Sequence, residues 1–217
     1  ERTSTFFKSY IKEKRKNLAI PQNLKINDFK VSTIVNLLGR KEIEEFGIVN
    51  IPCRLNNFQK GKREKFKGNS SQEKWAAMQS DYSNLLNQGA SEFENISLSN
   101  WHDLKINNFP GIYWVEHKKD GLIYIGESSN VRDRYKAHSE RTYFSAFRRN
   151  FGENILGFQL QTIKGKKRYF SDAEEVKLNE YLKKLKIKTM PILIGRYELE
   201  EFLIQYYQPR LNRKGVK

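Results

Sequence analysis

The chain has 217 residues, and 40 Lys and Arg against 25 Asp and Glu give a formal charge of +15 and a pI near 9.7. A surface that basic attracts polyanions, nucleic acid foremost, although charge alone fits a merely soluble basic protein equally well. A single cysteine, Cys53, excludes an intrachain disulfide and suits a reducing, cytoplasmic compartment; no apolar run is long enough to span a bilayer and no signal-peptide pattern is present.

The opening residue is Glu1 rather than Met, as in a fragment or a processed product. Residues 6–17 set Lys and Arg beside Phe6, Phe7, Tyr10 and Ile11, as a basic amphipathic helix does, and residues 31–46 read as one or two short helices around Gly39. The charge run 60–67 followed by Gly68-Asn69-Ser70-Ser71 reads as a solvated loop. Trp75, Met78, Tyr82, Leu85 and Leu86 then recur at helical spacing, which marks one buried face rather than a base-stacking platform. The three histidines are scattered, so no zinc spacing is present.

After Asn108 the texture changes. Pro110 leads into a β-rich run, 111–115, and a second run covers 122–126. Asp120-Gly121 between them is a hairpin signal. Helices are expected over 130–138 and 144–150. Residues 158–163 alternate like a third strand and turn at Lys164-Gly165-Lys166. Ser171 with Glu174 three residues on is a capping box that opens a helix to about Leu185. An apolar run, 190–194, ends at Gly195, and a last helix runs over 196–207 before Pro209. The expected fold is a small α+β domain, a three-stranded sheet flanked by helices over 106–217, preceded by a basic, mainly helical region over 1–105.

A series of separated stations in the second half stands in a telling order. Gly111-Ile112-Tyr113 is followed by Tyr124-Ile125-Gly126, with ten residues between the tyrosines. Arg134 lies ten residues past Tyr124, and His138 one helical turn later. Glu200-Glu201-Phe202-Leu203-Ile204 and Pro209-Arg210-Leu211-Asn212 close the series. The set resembles the GIY-YIG nuclease superfamily over roughly the last half of the chain. The resemblance implies catalytic Tyr113, Tyr124, Arg134 and His138, a metal-binding Glu200 that holds Mg²⁺ or Mn²⁺, and DNA as partner. It also implies that Tyr113 orients or activates the attacking water.

The residue chemistry agrees with those roles. Arg134 and His138, four apart, share one helical face. A guanidinium stays charged and can bind phosphate bidentately. A single glutamate suits Mg²⁺, which keeps several waters and is commonly held by one or two carboxylates. Candidate phosphate contacts are Arg148, Arg149, Lys166, Lys167, Arg210 and Asn212, with the neighbouring Lys164, Arg168, Arg213 and Lys214. Each residue also has a plain reading. Tyr113 and Tyr124 alone are ordinary strand aromatics, Arg134 a surface charge, His138 a partly exposed histidine and Asn212 a brace for the terminal loop. Glu127, directly after the second signature, is either a metal contact or a solvated carboxylate. Glu198 and Glu201 read as solvated helix charges.

The expected function is a metal-dependent DNA endonuclease of the restriction, phage-defence or mobile-element kind. A structure-selective repair nuclease and a catalytically silent DNA-binding module are the alternatives. Double-strand cleavage from one active site would call for a homodimer or two successive nicks.

Overall fold

The computed structural model describes residues 30, 33, 35–50, 72–140, 142–163 and 165–212. The expected helix over 6–17, Cys53, the loop at 60–67, Lys164, Arg213 and Lys214 lie outside the described residues. So do the side chains of Lys166 and Lys167. The chain forms two compact units, one of residues 1–36 and 41–71, the other of 37–40 and 72–217. Helix α1 (Arg40–Asn50) starts just past Gly39, whose φ of 84° is a conformation glycine adopts without strain.

In the larger unit, α2 (Gln72–Ser80) and α3 (Tyr82–Glu94) lead into a two-residue strand, β1 (Ser99–Asn100). The five apolar positions expected on one face there are half-buried, and the face is completed by the buried Ala90 and Phe93. The hairpin follows as β2 (Gly111–His117) and β3 (Gly121–Ser128), turned at Gly121 with a φ of 65°. Helices α4 (Val131–Glu140) and α5 (Ala146–Asn154) come next, then a small hairpin of β4 (Gln161–Ile163) and β5 (Lys166–Tyr169). Glu174 Oε2 accepts from the Ser171 N–H at 3.0 Å and opens α6 (Asp172–Leu182). Strand β6 (Lys186–Pro191) and helix α7 (Arg196–Tyr207) finish the unit. Gln208, with a φ of 52°, closes α7 in the left-handed conformation, and Pro209 prevents its continuation.

The antiparallel sheet has the order β1-β6-β2-β3. It holds three long strands, two of them the expected hairpin, plus the short β1 at its edge. The third long strand is β6 and not the run at 158–163, whose last residues instead pair with Lys166–Tyr169 in the separate hairpin. Central β2 is buried on both faces. Its odd positions, Tyr113 and Val115, join Val131, Phe147, Phe151, Leu178 and Leu182 from α4, α5 and α6. Its even positions, Ile112 and Trp114, join Ala90, Phe93, Leu199, Leu203 and Ile204 from α3 and α7. Strand alternation thus serves two cores at once, as expected for a strand covered by helices on either side. No described helix is long and apolar enough to cross a membrane.

Candidate active site

The pairing register explains why two tyrosines so far apart in sequence meet. Tyr113 lies opposite Gly126, and Val115 lies opposite Tyr124. The two phenols therefore leave the same sheet face as diagonal neighbours, with ring centroids 6.0 Å apart. The glycine of the second signature has a steric reason: a Cβ at Gly126 would overlap Cζ and the hydroxyl of Tyr113. Gly111 has a parallel one, since a Cβ there would meet the Met190 carbonyl of β6. Both glycines let a neighbouring group approach the strand closely.

Helix α4 brings its own two residues to this face. His138 is buried, and its Nε2 lies 2.8 Å from Tyr113 Oη. Its Nδ1 lies 2.7 Å from Ser145 Oγ, and that oxygen also accepts the Arg148 N–H at 2.9 Å, capping α5. Burial holds the imidazole well below its usual pKa, and the charges of Arg134 and Arg148 push the same way, so His138 is neutral at pH 7. Arg134, one turn earlier, is exposed. Burial raises the Tyr113 phenol well above its ordinary value, with Tyr124 adding to the rise and Arg134 opposing it. Tyr124 is raised too, by burial first and the Glu200 charge second. In the resting site both are neutral phenols.

Glu200 and Asn212 reach the site through the outer edge of β3. Strand β3 ends the sheet, so its outward main-chain groups need partners from elsewhere. Leu211 N–H donates to Ile123 O at 2.9 Å. The Asn212 side chain accepts from Ile125 N–H at 2.9 Å and donates to Ile125 O at 2.7 Å. The next outward N–H, that of Glu127, donates to Glu200 Oε1 at 3.1 Å. The glutamate and the asparagine motifs thus read one strand edge two residues apart. Asn212 is buried, and its amide bonds on both sides of Ile125 make it a clamp on the edge rather than the phosphate contact expected.

Other expectations change with the packing. Arg148 is fully buried, and its guanidinium bonds Thr142 Oγ1, the carbonyls of His138 and Ser139, Glu175 and Asn179. With no exposed surface it cannot reach a phosphate; it ties α4, α5 and α6 together. Arg149 is half-buried and donates to the carbonyls of Thr142 and Tyr143. Glu127 is paired rather than simply solvated: its carboxylate accepts from Nε of the buried Arg196 at 2.9 Å. Arg210 is exposed and donates to Asn154 O at 3.2 Å. Glu198, read from sequence as a solvated charge, is buried and accepts from the N–H groups of Gly39 and Arg40 and from Arg40 Nε. Glu201 is half-buried and bonds Arg40 at 2.6 Å, leaving Glu200 as the glutamate of the three turned to β3.

Ser145 carried no signal in sequence, because the helix expected from residue 144 took it in, whereas it caps the observed helix from outside. The Arg196–Glu127 pair carried none at all. As to a metal, among the described residues no three His, Cys, Asp or Glu side chains gather. The described residues therefore build no closed protein cage. One half-buried carboxylate held by a main-chain N–H fits an ion that keeps most of its waters, which is the habit of Mg²⁺. The family profile of the GIY-YIG catalytic domain matches residues 95–217. No curated protein and no solved structure matches the chain.

Proposed function

The chain belongs to the GIY-YIG family of nuclease catalytic domains, and from that premise we propose that it is a divalent-metal-dependent DNA endonuclease of the restriction, phage-defence or mobile-element kind. What carries the reading is the convergence on one site of Tyr113, Tyr124 and His138 on one sheet face and Glu200 at the adjoining edge of β3. Neither core packing nor DNA binding alone requires that set.

In this proposal the exposed Arg134 takes the non-bridging oxygens of the scissile phosphate, a task suited to a permanently charged, bidentate group. Tyr113 holds the attacking water in line through its hydroxyl, whose position is fixed on one side by Gly126 and on the other by His138. Tyr124 lies beside it and lines the same face. Glu200 would hold Mg²⁺ or Mn²⁺, which supplies charge neutralisation at the leaving oxygen and acidifies a bound water. The Glu127 N–H and the Arg196–Glu127 pair keep that carboxylate in place. Basic residues of 1–105 add affinity or select the target, and cutting both strands would use two copies of the site.

The test is incubation of the full chain with supercoiled plasmid and Mg²⁺, against EDTA and against Glu200→Ala. Discrete metal-dependent products lost in the variant support the reading. Cleavage only of branched or damaged DNA would move it to a repair nuclease. Binding without cleavage would make it a silent module.

A further inference from the structure

The buried polar chain behind Tyr113 runs Tyr113 Oη, His138 Nε2, His138 Nδ1, Ser145 Oγ, Arg148 N–H, with separations of 2.8, 2.7 and 2.9 Å. Ser145 is fully buried, so water cannot serve its hydroxyl. A serine hydroxyl has one proton to donate and two lone pairs. One lone pair takes the Arg148 N–H. Among the described residues the remaining partner of that oxygen is His138 Nδ1, and only two arrangements of protons are open to a neutral ring.

If Nδ1 carried the proton, Ser145 Oγ would accept twice, and its own buried O–H would have no acceptor. An unmet buried donor costs about 1–3 kcal/mol. If Nδ1 is bare, Ser145 donates to it, Arg148 N–H donates to Ser145, and every member is satisfied. A doubly protonated ring meets the same objection as the first case. It would also sit beside Arg134 on its own helix and Arg148 on α5, with the neutral Tyr113 and Tyr124 facing it from the sheet. Among the described residues no carboxylate bonds Nδ1, which sets this arrangement apart from a histidine oriented by an acid.

We infer that His138 is held as the Nε2–H tautomer and donates to Tyr113 Oη, with Ser145 as the positioning residue that imposes it. Resting on the nuclease reading for its purpose but not for its geometry, this assigns directions to the site. His138 is not the group that takes the Tyr113 proton. Since Tyr113 Oη accepts from the ring, its own O–H is turned away from His138, toward the face it shares with Tyr124, where a water or phosphate oxygen can receive it. The donated Nε2–H also favours the phenolate whenever Tyr113 gives that proton up. Ser145 thus acts as an outer hydrogen-bond partner whose bond to one ring nitrogen fixes which nitrogen carries the proton.

The experiment is ¹⁵N NMR of the histidine rings in the full chain, with His138→Gln used to assign the His138 signals among the three histidines. One pyrrole-type Nε2 and one pyridine-type Nδ1 at neutral pH are expected; a protonated Nδ1 overturns the inference. Ser145→Ala should mix the two tautomers and lower kcat about tenfold at unchanged KM, the scale of one lost hydrogen bond. Ser145→Thr keeps the hydroxyl and should restore both. An Ala variant with an unaltered ring spectrum and kcat would remove Ser145 from the role. If Ser145→Ala does not fold, the wild-type spectrum still decides. Because that spectrum needs no DNA, an Nε2–H ring in a protein that cuts nothing would leave the tautomer standing and overturn only the nuclease reading.

Discussion

Gly126→Ala tests the claim that the second signature exists to seat the first tyrosine. Gly126 is not among the glycines of positive φ, so its backbone accepts any residue. In a strand, replacing glycine by alanine ordinarily stabilises by roughly 0.5–1 kcal/mol. Here the new Cβ falls on Cζ and the hydroxyl of Tyr113, and it lies 2.9 Å from Cε1. The ring has to move, and overpacking of this kind costs about 1–3 kcal/mol. Displacement also breaks the 2.8 Å contact with His138, worth a further 0.5–1.5 kcal/mol or so. The sum is a net destabilisation of about 0.5–4 kcal/mol by urea unfolding. A phenol shifted by about 1 Å would lower single-turnover cleavage on the order of a hundredfold. In a Tyr113→Ala background the same substitution should be neutral or stabilise by about 0.5 kcal/mol. Equal penalties in the two backgrounds would refute the steric argument.

Two arginines with the same sequence character should behave oppositely. Arg148→Ala leaves Glu175 and two buried carbonyls without their partner and should cost about 3–5 kcal/mol in chemical denaturation. Arg134→Ala, on the exposed face of α4, should stay within about 0.5 kcal/mol of wild type yet lose cleavage. Asn212→Ala should cost about 1–3 kcal/mol by opening the two Ile125 bonds. Asn212→Asp should not rescue it, because a carboxylate cannot donate to the Ile125 carbonyl. His138 adds a pH term. Its folded pKa lies below the unfolded value of about 6.5, so between the two the unfolded chain binds the extra proton and stability falls as pH falls. Wild type should lose stability below about pH 6.5 at a slope approaching 1.4 kcal/mol per pH unit more than His138→Gln does; parallel curves would contradict a buried neutral imidazole.

The features legible in sequence were those set by local chemistry. Asp120-Gly121 marked the hairpin, Glu174 the start of α6 and Gly195 with Pro209 the limits of α7, since turns and caps depend on a few adjacent residues. The third long strand was misplaced because β6 carries Lys186 and Lys188 where apolar residues were sought. Lys188 is nevertheless buried, its ammonium 4.4 Å from the Trp114 ring centroid and 3.0 Å from Glu94 O. Such a lysine is accommodated by an aromatic from β2 and a carbonyl from α3, neither of which its own segment reveals. The same blindness to long-range partners made Arg148 look like a phosphate contact. Its partners, Glu175 and Asn179, lie a helix away. Tyr113, Tyr124 and His138 come together because their spacing follows strand register and helical turns. The groups that hold the candidates, Ser145 and the Arg196–Glu127 pair, have no spacing rule to betray them.

The central claim is that a single divalent ion sits on Glu200 beside the two phenols and serves one phosphate. Anomalous scattering from Mn²⁺ in crystals of the full chain bound to DNA measures that directly. One peak is expected at about 2.0–2.2 Å from a Glu200 carboxylate oxygen, with a phosphate between it and Arg134. A peak elsewhere, with Glu200→Ala still cleaving at the wild-type rate, would contradict it.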